Sequence, residues 1–360
     1  MSEPADILLL GSGPFAARIA FDLAATARQP TRVIVAARNP ARLDWVRTAA
    51  RARAALFETP ARFETTTVDL LDDGEAAALL ARVRPRVVVQ AASAQPGSVI
   101  AGRPTSWTRL VAEGGLSATA VFQALVTCTV AAAVRDAHPT PHLVNCCFPD
   151  VVNGLVAASG LPVLCGAGNI GILSNAFAGD VQAAGQTGEL RMLAHYQQLG
   201  VWRAGPAERG GPPPRLWLDE RELPDVFTRF AAVRLTPEPA IDISGASAVP
   251  LALALAHGRT WRGHVPGPHG LPGGYPVGWD GETLHLDLPP GLTKQSAVAW
   301  NAQFEAENGL VIEGARARYT GRLHEALRRV SPSLAAGFAL DDLRDVHAEM
   351  QTLRAQLDQG

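Results

Sequence analysis

The 360-residue chain has little of what marks the simpler function classes. Its four cysteines, two of them adjacent as Cys146 and Cys147, form no CxxC pair and no disulfide framework, which fits a reducing cytosol. No charge sign dominates. The formal net charge is −2 with acids and bases interspersed, so no electrostatic footprint for nucleic acid or an anionic membrane surface is expected. There is no GxSxG elbow, no HExxH pair and no phosphate-binding P-loop, which removes the commonest hydrolase and NTPase motifs. Internal repeats and low-complexity tracts are also missing. The N-terminus lacks the basic region and cleavage site of a signal peptide, and its DILLL run is of strand length. One stretch, residues 116–134, is long and uncharged, but it carries Ser117, Thr119, Gln123, Thr127, Cys128 and Thr129. It reads as a helix buried between protein layers, not one facing lipid. A soluble, cytoplasmic protein acting on a small molecule is expected.

What is there is a globular composition, 47% apolar and 18% charged. Through residue 165, short apolar runs at 7–10, 33–37, 63–68, 87–91, 143–147 and 163–165 alternate with helical patterns at about 14–26, 40–57, 74–83, 115–136 and 150–159. Several of the runs are continuously hydrophobic, as in strands covered by helices on both faces. The expected fold is therefore α/β: an N-terminal Rossmann-type, doubly wound parallel sheet over 1–165. The rhythm then changes to an α+β substrate domain over 166–330, intermixed with the first. It includes a helix ended by Gly258 and a hairpin turning at Asp280-Gly281. In the tail, 331–360, Leu343, Val346, Met350, Leu353 and Leu357 follow a 3-4-3-4 spacing. That stripe suits packing on the protein's own body or on a partner in a homodimer or larger oligomer.

The sharpest motif is DILLLGSGPFAARIA, which sets Gly11-x-Gly13-x-x-Ala16 after the first strand and at the head of a helix. Gly11 permits the tight turn, Gly13 lets the backbone approach a pyrophosphate, and Ala16 permits close helix–strand packing; Pro14 and Phe15 complete the loop. The helix N-terminus offers free N–H groups and a positive dipole to phosphates. A dinucleotide is expected there, although the same residues also suit a purely structural turn. The second strand ends VIVAARNPARL, with Arg38 where NAD-preferring folds carry a carboxylate. An arginine at that point can pair with a 2′-phosphate, with Arg42 assisting, so NADP is expected over NAD. Asp69 after the third strand, and Ala92 and Ser93 after the fourth, join the expected cofactor-binding set.

His195, in ELRMLAHYQQLGVWR, is by itself either a histidine satisfied by the backbone or a proton carrier. Three stretches taken in order add to it: AASAQPGSVIAGRPTSWTRLVAEGG, HLVNCCFPDVVNGLVAASGLPVLCGAGNIGILSNAF, and the His195 segment itself. Together they resemble the lactate/malate dehydrogenase superfamily, and residues 11–92 also look like the NADP-binding domain of saccharopine-dehydrogenase-like proteins. The first resemblance implies an NAD(P)-dependent oxidoreductase. Arg109 would be the mobile-loop arginine that polarises the substrate oxygen, with Arg103 as a fallback, and His195 the acid/base. The loop with Gly97 and Gly102 would be a lid. The sequence departs from that pattern at three points. Phe148-Pro149 replaces the family's Asn-Pro, leaving Asn145 to compensate or simply to satisfy strand-end backbone. Asn175 falls where a carboxylate-clamping arginine is expected, so lactate and malate are poor substrates and another carbonyl, alcohol or imine is favoured. No aspartate partner for the histidine is evident. The superfamily also contains metal-dependent family-four glycosidases, whose Cys and His ligands Cys165 and His195 resemble in spacing. A metal is not expected, Cys165 reading equally as a small buried core residue. A non-catalytic dinucleotide-binding module is the remaining alternative.

Overall fold

A computed structural model describes residues 3–95, 99, 104–235 and 241–359. Gly97, Gly102 and Arg103, the expected lid and the fallback arginine, lie outside them. Six parallel strands form the main sheet: β1 (Ile7–Leu10), β2 (Thr31–Ala37), β3 (Ala61–Thr67), β4 (Val87–Gln90), β5 (His142–Asn145) and β6 (Cys165–Gly166). Their order is β3-β2-β1-β4-β5-β6, the doubly wound arrangement expected from the alternation. The connecting helices are α1 (Pro14–Thr26), α2 (Pro40–Leu56), α3 (Glu75–Val83), α4 (Ser106–Gly114), α5 (Ala120–Asp136) and α6 (Val151–Ala158). Local chemistry sets several ends. Pro40 occupies the first turn of α2, and Asn39 caps it by accepting the Arg42 N–H at 3.0 Å.

The period-two alternation of the strands divides the core into two layers. Leu8, Leu10, Ile34, Ala36 and Val88 face one side, while Ile7, Leu9, Val33, Val35, Val87 and Val89 face the other. The second half of the chain contributes to both layers. It continues through α7 (Asn169–Ala183), β7 (Leu190–Leu193), β8 (Arg215–Leu218), β9 (Arg221–Glu222), α8 (Val226–Arg229), α9 (Ile241–His257), β10 (Trp261–Pro266), β11 (Gly274–Trp279) and β12 (Leu284–Leu286). It ends with α10 (Lys294–Glu307), β13 (Leu310–Glu313), β14 (Arg316–Tyr319), α11 (Gly321–Val330), α12 (Pro332–Ala335), β15 (Phe338–Ala339) and α13 (Leu343–Gln359). Strands β7–β9, β10–β12 and β13–β15 make three small antiparallel sheets. Leu251 and Leu255 of α9, with Trp279 and Ala297, pack on the layer of Ile7 and Leu9. Leu323, Leu327 and Met350 pack on the layer of Leu8 and Leu10.

Gly258, with φ +60°, ends α9, and Asp280-Gly281 turns between β11 and β12, as the sequence predicts. Residues 116–136 form a short 3₁₀ turn running into α5, a helix long and apolar enough to cross a membrane, but 83% of its apolar window is buried inside the protein. The tail stripe faces inward. Leu343, Val346, Met350 and Leu353 are buried, with α13 packed on α5 and α4.

Candidate active site

The carboxyl ends of the strands form one continuous edge, closed by backbone hydrogen bonds between successive loops. Gly11 N–H donates to Ala36, Ala91 N–H to Leu10, Cys146 N–H to Gln90 and Ala167 N–H to Asn145. The strand order reverses between β1 and β4, so ligand chemistry belongs at this edge.

One half of the edge is built by the glycine turn. Gly11 has φ +114°, and a Cβ there would stand 3.0 Å from the Ala91 carbonyl carbon and oxygen, so both conformation and space demand glycine. Gly13 has an ordinary φ of −68°. A Cβ at Gly13 would meet nothing within 4 Å, and no side chain caps α1. The first N–H groups of α1 therefore look into open space, a cradle that fits a pyrophosphate. Pro14, at the first helical position, has no N–H to leave unpaired. Arg42 Nε donates to the Ser12 carbonyl at 2.9 Å and pins the loop, which is a different task from contacting a ribose phosphate. Arg38 is exposed and stands 3.6 Å from Asp69. The two residues expected to meet the adenosine thus pair with each other across the ends of β2 and β3. In the fourth-strand loop, the buried Gln90 amide bonds both the N–H and the carbonyl of Ala92, and Ser93 Oγ closes a turn on Gln95.

The other half is a buried cluster of side chains. His195 follows β7, is 1% exposed, and accepts the Gln197 N–H on Nδ1 at 3.4 Å. That assigns the proton of the neutral ring to Nε2. Nε2 lies 3.5 Å from Glu305 Oε1, and the ring stacks on Phe304 at 4.9 Å. Glu305, from α10, also accepts the Ser117 hydroxyl at 3.0 Å and the Leu310 N–H at 2.6 Å. Ser117 Oγ is 2.7 Å from the Tyr196 hydroxyl, completing a chain Tyr196–Ser117–Glu305–His195. Burial and the Glu305 charge push the Tyr196 hydroxyl well above its ordinary pKa.

Asp150 follows the cis Phe148-Pro149 peptide and is 5% exposed. One of its oxygens accepts the Asn169 side-chain amide at 3.0 Å; the other is buried and has no hydrogen-bond partner among the described residues. Burial raises the Asp150 carboxyl to about 6, opposed by the His195 charge and the Asn169 bond and assisted by Glu305. Asn169 begins α7, directly after Gly168, and a Cβ at Gly168 would stand 3.6 Å from the Phe15 ring. Phe15, in the first turn of α1, thus stands near the Gly168 turn that leads to Asn169, the amide partner of Asp150.

Several expected site residues sit elsewhere or do other work. Asn145 is fully engaged internally: its amide donates to Asn153 and Cys147, and its oxygen accepts the Cys147 N–H. It orders the turn after β5. Arg109 lies on the exposed face of α4, a helix and not a loop, and donates to Ser106 at 2.8 Å. No contact joins it to His195 among the described residues. Asn175 donates to the Gly171 carbonyl and lines a cleft of about 400 Å³ with Arg191, Arg262 and His264, which none of the His195 cluster lines. Phe148 is half-buried beside Asp150. Cys165 is wholly buried in an apolar core layer, where desolvation drives its thiol far up and opposes a ligating thiolate. No group of three or more His, Cys, Asp or Glu side chains able to hold a metal exists among the described residues. The missing carboxylate partner of His195 is Glu305, 110 positions downstream, where no local pattern marks it.

Neither protein-family models nor curated protein sequences give a match to this chain. Solved structures do. The lactate dehydrogenase of Cryptosporidium parvum, complexed with lactic acid and nicotinamide adenine dinucleotide, aligns over 98% of this chain and 99% of that one, at 14% identity and a TM-score of 0.51. Malate dehydrogenase of the same organism aligns over 84% and 96%, at 14% identity and TM-score 0.53. The Eimeria maxima lactate dehydrogenase with NADH and oxamate aligns over 99% and 96%, at 12% identity and TM-score 0.50. The chain has the fold of lactate and malate dehydrogenases, as the resemblance implied. The saccharopine-dehydrogenase and glycosidase likenesses gain no support from these matches.

Proposed function

We propose that this protein is a nicotinamide-dinucleotide-dependent oxidoreductase acting on a small carbonyl, alcohol or imine. The observation that carries this reading is the shared carboxyl edge of the sheet, where the uncapped glycine turn after β1 and the loop after β5 that bears the buried Asp150 are joined through successive strand-end hydrogen bonds. A dinucleotide with its pyrophosphate over Gly13 and the α1 N-terminus would supply or accept a hydride at C4 of its nicotinamide. The protein's own groups would handle the proton. His195 carries it on Nε2, Glu305 orients the ring from 3.5 Å away, and Asp150 adds a second acid with its pKa raised to about 6. Burial of all three keeps water from the hydride.

NADP is the favoured dinucleotide in this reading. No carboxylate ends β2 to repel a 2′-phosphate, and Arg38 is exposed beside that position. The neighbouring structures with NAD or NADH support a nicotinamide cofactor generally. The test is His195→Gln assayed on whichever carbonyl or imine of a substrate panel wild type turns over. Turnover should fall about 10²–10⁴-fold with dinucleotide affinity unchanged. A loss below about tenfold would remove His195 from the acid–base role.

A further inference from the structure

We propose that the acid cluster takes a substrate whose reacting end is a protonated nitrogen, an amine or its iminium, and not a carboxylate-bearing hydroxy acid. The inference rests on the oxidoreductase reading and narrows it. Two buried carboxylates share this region with one imidazole: Glu305 lies 3.5 Å from His195 Nε2, and Asp150 is close enough to feel the charges of both, with the buried amides of Asn145 and Asn153, the half-buried Asn169, and the hydroxyls of Ser117 and Tyr196. Neither carboxylate forms an ion pair with arginine or lysine among the described residues, and the residue at the clamp position, Asn175, faces another cleft. A substrate carboxylate brought here would be a third, with no bidentate cation to receive it.

The orphaned Asp150 oxygen points the same way. It is a buried acceptor without a donor, and buried acceptors in folded proteins are ordinarily satisfied. An ammonium or iminium N–H supplies that donor and a compensating charge together. In the reducing direction the imine nitrogen takes the proton of the Asp150 carboxyl and becomes an iminium held over the carboxylate. The iminium carbon then accepts a hydride from the reduced nicotinamide dinucleotide, the C=N π pair becomes the amine lone pair, and the dinucleotide is left oxidised. Amine oxidation is the reverse.

Calorimetric titration of the full chain with pyrrolidine, cyclopentanol and pyruvate, with and without NADPH, tests the proposal. At pH 7.5 pyrrolidine should bind about tenfold or more tighter than cyclopentanol, and pyruvate weakest of the three. Asp150→Asn should reduce the pyrrolidine preference to within about twofold. In wild type the preference should fade towards pH 5 as Asp150, faced by His195, Glu305 and Asn169, takes up its proton. Cyclopentanol or pyruvate binding as tightly as pyrrolidine overturns the proposal, and this comparison needs no variant to fold. If neither NADPH nor NADH binds while the preference persists, the redox reading fails and the nitrogen site stands. If dinucleotide binds and the preference is absent, the reverse holds.

Discussion

The two halves of the candidate site are built by opposite means. The dinucleotide half occupies some thirty consecutive residues, is open to solvent, and consists of backbone: a left-handed Gly11, an unencumbered Gly13 and the bare N-terminus of α1. The acid half draws Ser117, Asp150, Asn169, His195 and Glu305 from five separate segments, is buried except at Asn169, and consists of side chains. A backbone site is dictated by steric rules acting over a few residues. A buried side-chain cluster is dictated by what the fold brings together, and here it holds a raised carboxyl with one oxygen unsatisfied among the described residues.

That contrast can be broken by substitution. The largest effect is expected at Gly13, where valine would project into the proposed phosphate cradle from a Cβ that meets no protein atom within 4 Å. Dinucleotide affinity should drop about 100-fold or more in a fluorescence titration, while the melting temperature barely moves. Gly11→Ala makes the complementary case, because strain at φ +114° and contact with Ala91 should cost about 1–3 kcal/mol of stability in urea unfolding. An unchanged affinity in the first, or an unchanged stability in the second, would show that the turn is not built as described.

In the acid half the sign of the effect reverses. The folded protein holds the Asp150 proton more tightly than the unfolded chain does, with a pKa of about 6 against 3.8. Its contribution to stability is therefore fully present below 3.8 and lost as pH rises from there through about 6. Asp150→Asn should stabilise the protein at pH 7.5 by about 1–3 kcal/mol and by about half as much at pH 5, seen as a pH-dependent gain in melting temperature. A variant less stable than wild type at both pH values would place Asp150 in a structural role. The smallest effect belongs to Arg109→Ala. Its guanidinium is exposed and bonds only within its own helix, so turnover should stay within about twofold of wild type.

What the sequence made legible follows the same division. Continuous apolar runs announced the parallel sheet, because strands covered on both faces have no polar side to show. Gly11 and Gly13 were legible because a turn that tight admits no other residue at the first position. The cluster around His195 was not, since Glu305 lies in the last turn of the helix KQSAVAWNAQFEAE with nothing local to distinguish it from a solvated glutamate. Asp150 had a faint signal, an acid immediately behind Phe148-Pro149 at a strand end. Arg109 was expected on a mobile loop, whereas TRLV lies on α4, with that arginine exposed. Asn145 was read both as a catalytic substitute and as a backbone satisfier, and its hydrogen bonds fit the second.

The central claim is that the glycine turn and the acid cluster form one dinucleotide-dependent site. A fluorescence titration of the purified protein with NADPH and with NADH, repeated on Gly13→Val, tests it most directly. The account predicts saturable binding that favours NADPH in wild type and is lost in the variant. Absence of binding for both dinucleotides at physiological concentrations would contradict it, leaving the turn a structural feature and the buried acids without a hydride to serve.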